Sequence, residues 1–162
     1  MLIAASYVTL IRANILGQYL VKIICDDTTI FVDGEQMNAE GQNDKMTSLY
    51  IPSRTSTIGI QCKNEGGPHG IMVQVADDTG KVFAVSDDSW SCSNQAQQGW
   101  SSDDFTEDSS WNLATWYKDW SGTAWRDMSP NRKVIWTDSA ADTTVYCRKE
   151  LPKPTGNYNR LQ

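Results

Sequence analysis

Hydrophobic residues recur along the central part of the chain in short runs separated by turn residues. The run Gln18–Cys25 is strongly apolar, and Thr28–Val32 is β-branched and aromatic. Asp33-Gly34 then supplies the residues typical of a tight hairpin turn. Almost no helical period follows residue 17. The pattern therefore predicts short β-strands.

The same pattern continues toward the C-terminal end. The clearest hairpin pairs Ile71–Val75 with Lys81–Val85 across Asp78-Thr79-Gly80. Further strands are predicted at Ser48–Ile51, Ser56–Cys62, Lys133–Thr137 and Thr143–Arg148. Strands of this length, each ended by a turn signal, favour a jelly roll or other β-sandwich over a parallel sheet. The predicted fold class is therefore all-β.

Changes in composition divide the chain into three segments. We assign residues 1–17 to an apolar N-terminal arm, 18–151 to a single β-sandwich domain and 152–162 to a C-terminal tail. The whole chain has 162 residues, which fits one domain with a substantial core.

The segment from Asp87 to Met128 lacks a regular period and is rich in Ser, Asp and Gly. Six of the seven tryptophans lie between Gly99 and Trp136. We expect the first aromatic group to plug the end of the sandwich or lie in its core: Trp100, Phe105, Trp111 and Trp136. A second group could stack on a sugar ring and hydrogen-bond its hydroxyls: Trp116, Asp119, Trp120, Trp125 and Arg126.

The four cysteines are widely spaced and contain no C-x-x-C pair, which makes a zinc site unfavourable. Two disulfides in an oxidising compartment explain them better than four free thiols. Of the three possible connectivities, we favour Cys25–Cys62 with Cys92–Cys147, because each pair couples expected neighbouring strands.

The chain is acidic, with a net charge of −6. Because nucleic acids and anionic membranes both require a basic face, neither is an expected partner. Aspartate pairs such as Asp77-Asp78 are typical of solvated turns. We predict no cofactor and no metal site. The one exception considered is a structural Ca²⁺ bound by such aspartate pairs.

No arrangement of catalytic residues is recognisable in the sequence. His69 lies in a Gly- and Pro-containing loop, without a partner typical of a nucleophile pair. Glu107 and Asp108 are a conceivable carboxylate pair for glycoside hydrolysis, but we expect them to have a structural role. The chain is therefore predicted not to be an enzyme.

The N-terminal arm permits three interpretations. Arg12 follows the apolar stretch of residues 2–11, whereas a secretory signal places basic residues before it, and the stretch is too short and polar to span a membrane. Its centre, Ser6–Ile11, is a good β-sequence. It could be a strand added to a neighbouring subunit, the first strand of its own sheet, or an atypical signal. In an assembly, the arm would make contact through Tyr7, Val8, Leu10, Ile11 and Ile15.

The motif from Gly99 to Trp111 resembles the GW…FDDSSW segment of galactose-binding-like β-sandwich domains. Such domains are accessory modules of β-galactosidases and rhamnosidases, and they also occur in secreted proteins of aquatic invertebrates and protists. Further matches include Phe31-Val32-Asp33-Gly34, Ser89-Trp90-Ser91-Cys92 and Val134-Ile135-Trp136-Thr137. This chain has Glu107-Asp108 where the family usually has Asp-Asp. The resemblance implies a jelly roll, secretion and no catalysis by the module, without implying a ligand.

Together these features favour a secreted structural protein that assembles with copies of itself through its arm. The alternative is a lectin-like module that binds glycans through its exposed tryptophans.

Overall fold

The structure is a computed structural model that describes residues 17–38, 40–43, 46–66, 69–117 and 128–153, with 40–43 described by their backbone alone. Within these ranges the strands are β1 (Gln18–Ile24), β2 (Asp27–Val32), β3 (Glu35–Met37), β4 (Glu40–Asn43), β5 (Met46–Pro52), β6 (Thr57–Lys63), β7 (Met72–Ala76), β8 (Val82–Val85), β9 (Ser91–Ser93), β10 (Asn112–Leu113), β11 (Thr115–Tyr117), β12 (Val134–Trp136) and β13 (Thr144–Glu150). The all-β class predicted from the sequence is confirmed.

The strands form two large antiparallel sheets and one small pair. The five-stranded sheet has the order β4-β5-β1-β7-β8, and the six-stranded sheet has the order β10-β9-β13-β6-β2-β3. Strands β11 and β12 form the separate pair. The two large sheets contribute to one hydrophobic core, which makes the domain a β-sandwich.

The core follows from the alternation of side chains along each strand. In β1 the inward residues are Val21 and Ile23, and in β6 they are Ile58 and Ile60, all fully buried. The intervening positions face outward, away from the other sheet. Trp136 of β12 is completely buried in the same core, in agreement with the role expected for it.

The disulfides join Cys25 to Cys62 and Cys92 to Cys147, which are the pairs favoured from the sequence. Cys92 and Cys147 lie directly opposite each other on β9 and β13. Cys25 lies just after β1 of the five-stranded sheet, whereas Cys62 belongs to β6 of the six-stranded sheet. The first bridge therefore ties the two sheets together.

A second, smaller core lies on the outer face of the five-stranded sheet. It is formed by Ile24, Met72, Met128 and Val134. Ile71 and Ile135 exchange backbone hydrogen bonds of 2.9 and 3.0 Å, which attaches the β11–β12 pair to this sheet. The pair thus covers the outer face near β7. No helix among the described residues is long and apolar enough to cross a membrane.

The hairpin of β7 and β8 is present as predicted, and Gly80 adopts a positive φ of 83° in its turn. Strands β9, β10 and β11 lie in the segment that the sequence left without a period. Each has only two or three residues, too few to produce an alternation. The arm of residues 1–16 and the tail from residue 154 onward lie outside the described residues.

Candidate functional site

The Gly-Trp…Ser-Ser-Trp motif packs onto the outer face of the six-stranded sheet. Trp100 stacks on Trp111 at 5.8 Å between ring centroids and meets the rings of Phe31 and Tyr146 edge-on. Trp100 and Trp111 are only 7% and 6% exposed. They therefore cover the face of a sheet, whereas the sequence led us to expect a plug at the end of the sandwich. Their rings are unavailable to a ligand.

Polar side chains hold the motif in place. Asp108 accepts hydrogen bonds from the Ser110 hydroxyl (2.7 Å) and backbone N–H (2.8 Å), while Gln97 bridges Asp108 and the indole N–H of Trp111. These bonds, led by that of the Ser110 hydroxyl, lower the pKa of Asp108 because they stabilise its charged form. Asp108 is thus a loop-building residue.

Glu107 holds the other end of the motif against the sheet. Arg148 of β13 is 4% exposed and donates to Glu107 Oε1 at 2.7 Å and to the carbonyl oxygen of Ser102 at 2.9 Å. The guanidinium also lies 5.4 Å from the centre of the Phe105 ring. The carboxylates considered for glycoside hydrolysis therefore both make contacts that order the loop. Arg148 was not recognised from the sequence as the partner of Glu107, because only the fold brings β13 beneath the motif.

The lone histidine is half-buried against two aromatic rings. His69 lies 4.9 Å from Tyr117 and 5.5 Å from Trp136, measured between ring centroids. Burial, and then the charges of Asp138 and Asp142, raise the pKa of Tyr117. The Tyr117 hydroxyl donates to the carbonyl oxygen of Thr137. These contacts build the junction between β11 and the core.

The aspartate pairs lie in turns. Asp77 accepts from both the backbone and the hydroxyl of Thr79, and Asp87 is bonded in the same way to Ser89. Within the described ranges, no three His, Cys, Asp or Glu side chains lie together in a way that could hold a metal ion.

Of the five residues considered for sugar binding, the described part of the chain contains Trp116. Its side chain is 45% exposed on the outward face of β11, and Lys133 Nζ lies 5.4 Å from the ring centroid. Lys133 also bonds Asp88 at 3.1 Å, which lowers the pKa of that carboxyl group. Asp119, Trp120, Trp125 and Arg126 lie outside the described residues.

Strand β5 is paired on one side over only half of its length. On the β1 side the register runs from Gln18↔Pro52 to Ile24↔Met46. On the β4 side the pairing ends at Glu40↔Ser48, so that no described strand pairs with Leu49–Pro52 there. Unpaired N–H and C=O groups at a sheet edge are a template for another strand.

A groove of about 610 Å³ borders this unpaired half. Leu49 and Met37 line it from the level of the core, while Leu20 and Tyr50 line it from the outer face of the sheet. Tyr50 is 64% exposed. We call this region, Leu49–Pro52 with the groove beside it, the open edge. The candidate arm residues, from Tyr7 to Ile15, lie outside the described residues.

Comparison with protein-family models, with curated proteins and with solved structures gave no significant match.

Proposed function

We propose that this protein is a non-enzymatic, extracellular structural subunit that assembles with copies of itself. The arm of residues 1–16 docks on a neighbouring subunit by strand addition, which repeats head to tail into a filament or matrix. The observation that carries the proposal is the open edge, where β5 continues past Glu40, the first residue of its partner β4. An apolar β-sequence in the arm supplies a matching strand.

Two further observations support this proposal. Both disulfides are of the kind that persists in secreted proteins. The Gly-Trp…Ser-Ser-Trp motif braces the fold, which suits a galactose-binding-like jelly roll whose motif serves stability rather than catalysis.

The test compares the full-length protein with two variants by negative-stain microscopy and light scattering. One variant lacks residues 1–16, and the other keeps them but carries Val8→Asp and Leu10→Asp. We expect filaments or large particles from the wild type but from neither of these variants, since one lacks the arm and in the other charged side chains oppose its burial. A matched control, Thr9→Val, should assemble like the wild type. Monodisperse monomers from all four proteins would refute the proposal.

The second candidate is a lectin-like module, which the exposure of Trp116 favours. An indole face beside a lysine and an aspartate offers a stacking surface together with hydrogen-bonding groups. Trp116→Ala should then abolish binding in a glycan array. Leu113→Ala removes another exposed apolar side chain, 70% exposed, and should leave binding unchanged. Equal signals from wild type and Trp116→Ala would argue against this candidate.

A further inference from the structure

We infer that the acceptor for the arm is the open edge of the five-stranded sheet, and that its occupant is the segment Ser6–Ile11 of a second copy. This inference rests on the proposed function and specifies which surface receives the strand. It depends on three features of the described residues: the direction of the backbone groups of Tyr50, the composition of the groove, and the position of Gly17.

The backbone groups of Tyr50 point toward the open side. The N–H of Ser53 donates to the carbonyl oxygen of Gly17 at 2.6 Å, which makes Gly17 and Ser53 a hydrogen-bonded pair in the β1–β5 register. Hydrogen-bonded pairs recur at every second residue of an antiparallel ladder. Ile51 and Leu49 therefore bond β1, whereas the N–H and C=O of Tyr50 point to the opposite side. No described strand lies there to receive them.

The groove offers apolar side chains on both faces of the sheet, next to polar ones: Leu20, Met37, Leu49 and Tyr50 line it together with Gln18, Lys22, Asn38 and Ser48. Strands alternate their side chains between the two faces of a sheet, so an added strand needs space on both faces. Leu49 and Met37 line the groove from the core level, and Leu20 and Tyr50 line it from the outer face. If Ser6–Ile11 docks as an extended strand, the side chains of Val8 and Leu10 would lie on one face and those of Tyr7, Thr9 and Ile11 on the other. Each face of the arm can thus cover apolar side chains of the acceptor.

The position of Gly17 favours an arm from a neighbouring copy. Gly17 pairs with Ser53 on the β1 side of β5, which is the side opposite the open edge. A chain docking on its own edge would have to cross the end of β5 at the turn where Thr55 bonds Pro52. An arm donated to another copy avoids this crossing. The segment from Ile11 to Gly17 can span roughly 20 Å when extended, which suffices to project the arm from the domain.

The first experiment blocks the edge without disturbing the sheet. Full-length Tyr50→Pro removes an N–H that points away from β1, so the β1–β5 ladder is retained while pairing with a new strand is lost. The control Tyr50→Thr keeps the N–H and a β-favouring side chain. We expect Tyr50→Pro to raise the concentration required for assembly by at least about tenfold and Tyr50→Thr to leave it nearly unchanged. Far-ultraviolet circular dichroism checks that both variants are folded.

The second experiment identifies the occupant. With p-benzoylphenylalanine in place of Tyr50, irradiation of the full-length protein should give a dimer in which position 50 is joined to a peptide within residues 6–11 of the other copy. A link within one monomer, or to another segment, would overturn the inference.

The failure of the inference can be distinguished from the failure of the proposed function. If Tyr50→Pro assembles like the wild type and assembly still requires Val8 and Leu10, then the acceptor lies elsewhere and the structural role stands. If the wild type does not assemble through its arm, then both are wrong.

Discussion

The six-membered part of the Trp100 ring rests directly on the backbone of Gly59. A Cβ atom at residue 59 would lie 2.9 Å from two carbon atoms of this ring and 2.7 Å from the Cβ of Ser101. Gly59 occupies an outward position of β6, between the inward residues Ile58 and Ile60. Because Gly59 has no side chain, the Trp100 ring can pack directly against β6, and the tryptophan motif covers the outer face of the sheet. This contact explains why the motif is buried although it lies outside the central core.

Gly59→Ala should destabilise the protein by about 1–3 kcal/mol, because the added methyl group overpacks a filled contact. Urea unfolding measures the change in the free energy of unfolding. If the dependence of this free energy on urea concentration is unchanged, the folded and unfolded states have kept their compactness. The control is the same substitution in a Trp100→Leu background, where the smaller side chain leaves room for the methyl group and the cost should shrink. A cost below about 0.5 kcal/mol in the wild-type background would contradict the contact.

The architecture could be predicted from the sequence because its signals are local. Alternation at Ile58 and Ile60 and the turn at Asp78-Thr79-Gly80 depend on neighbouring residues alone. The Cys92–Cys147 pair lies on neighbouring strands, as assumed from the sequence, whereas the Cys25–Cys62 pair is also present but joins the two sheets.

The candidate sites could not be predicted to the same extent, because they depend on contacts between residues that are far apart in the sequence. The motif was expected at the end of the sandwich, since nothing near Trp100 in the sequence indicates that its ring packs on Gly59 of β6. Likewise, the open edge exists because β4 stops pairing at Ser48 while β5 continues to Pro52. The length of a ladder is a property of two strands together, and neither segment reveals it alone.

Glu107→Ala should destabilise the protein by roughly 1–3 kcal/mol, because it leaves the Arg148 guanidinium buried without its carboxylate. The lower part of that range allows for the partial exposure of Glu107. The double variant Glu107→Ala with Arg148→Met should recover part of the loss, since a buried pair can be exchanged for apolar packing. Chemical unfolding of the wild type, the two single variants and the double variant gives a complete double-mutant cycle. Strict additivity of the two substitutions would show that the ion pair does not couple the motif to β13.

Replacing either cysteine pair by alanine should cost about 4 kcal/mol, because each bridge restricts a long loop of the unfolded chain. The bridged residues are separated by 37 positions in Cys25–Cys62 and by 55 in Cys92–Cys147, so the logarithmic dependence predicts similar losses. Peptide mapping of the unreduced protein should recover these two linkages. Alkylation before reduction should add no mass, since all four cysteines are paired. Any other linkage would contradict the structure.

Asp108 should contribute to the acid sensitivity of the fold. Its pKa is lowered in the folded protein by the Ser110 hydroxyl, the Ser110 N–H and Gln97. A carboxyl group of this kind stabilises the fold at pH values above its unfolded pKa of about 3.9, and the contribution is lost as the pH falls through the lower folded value. Asp108→Asn should therefore be less stable than the wild type at pH 7 and nearly equal to it at an acid pH below the lowered pKa of Asp108, where both side chains are neutral.

Urea unfolding of wild type and Asp108→Asn at neutral and acid pH isolates this contribution. Asp77 and Asp88 also have lowered pKa values, but both groups are present in both proteins, so their effects cancel in the comparison. Ser110→Ala is the matched control. It keeps the carboxyl group and removes its first hydroxyl donor, so a carboxyl NMR titration should show the Asp108 pKa moving up toward the ordinary value of an aspartate. If Asp108→Asn were equally destabilised at neutral and acid pH, its effect would arise from packing, and the charge of Asp108 would not be what holds the Gln97–Trp111 end of the motif.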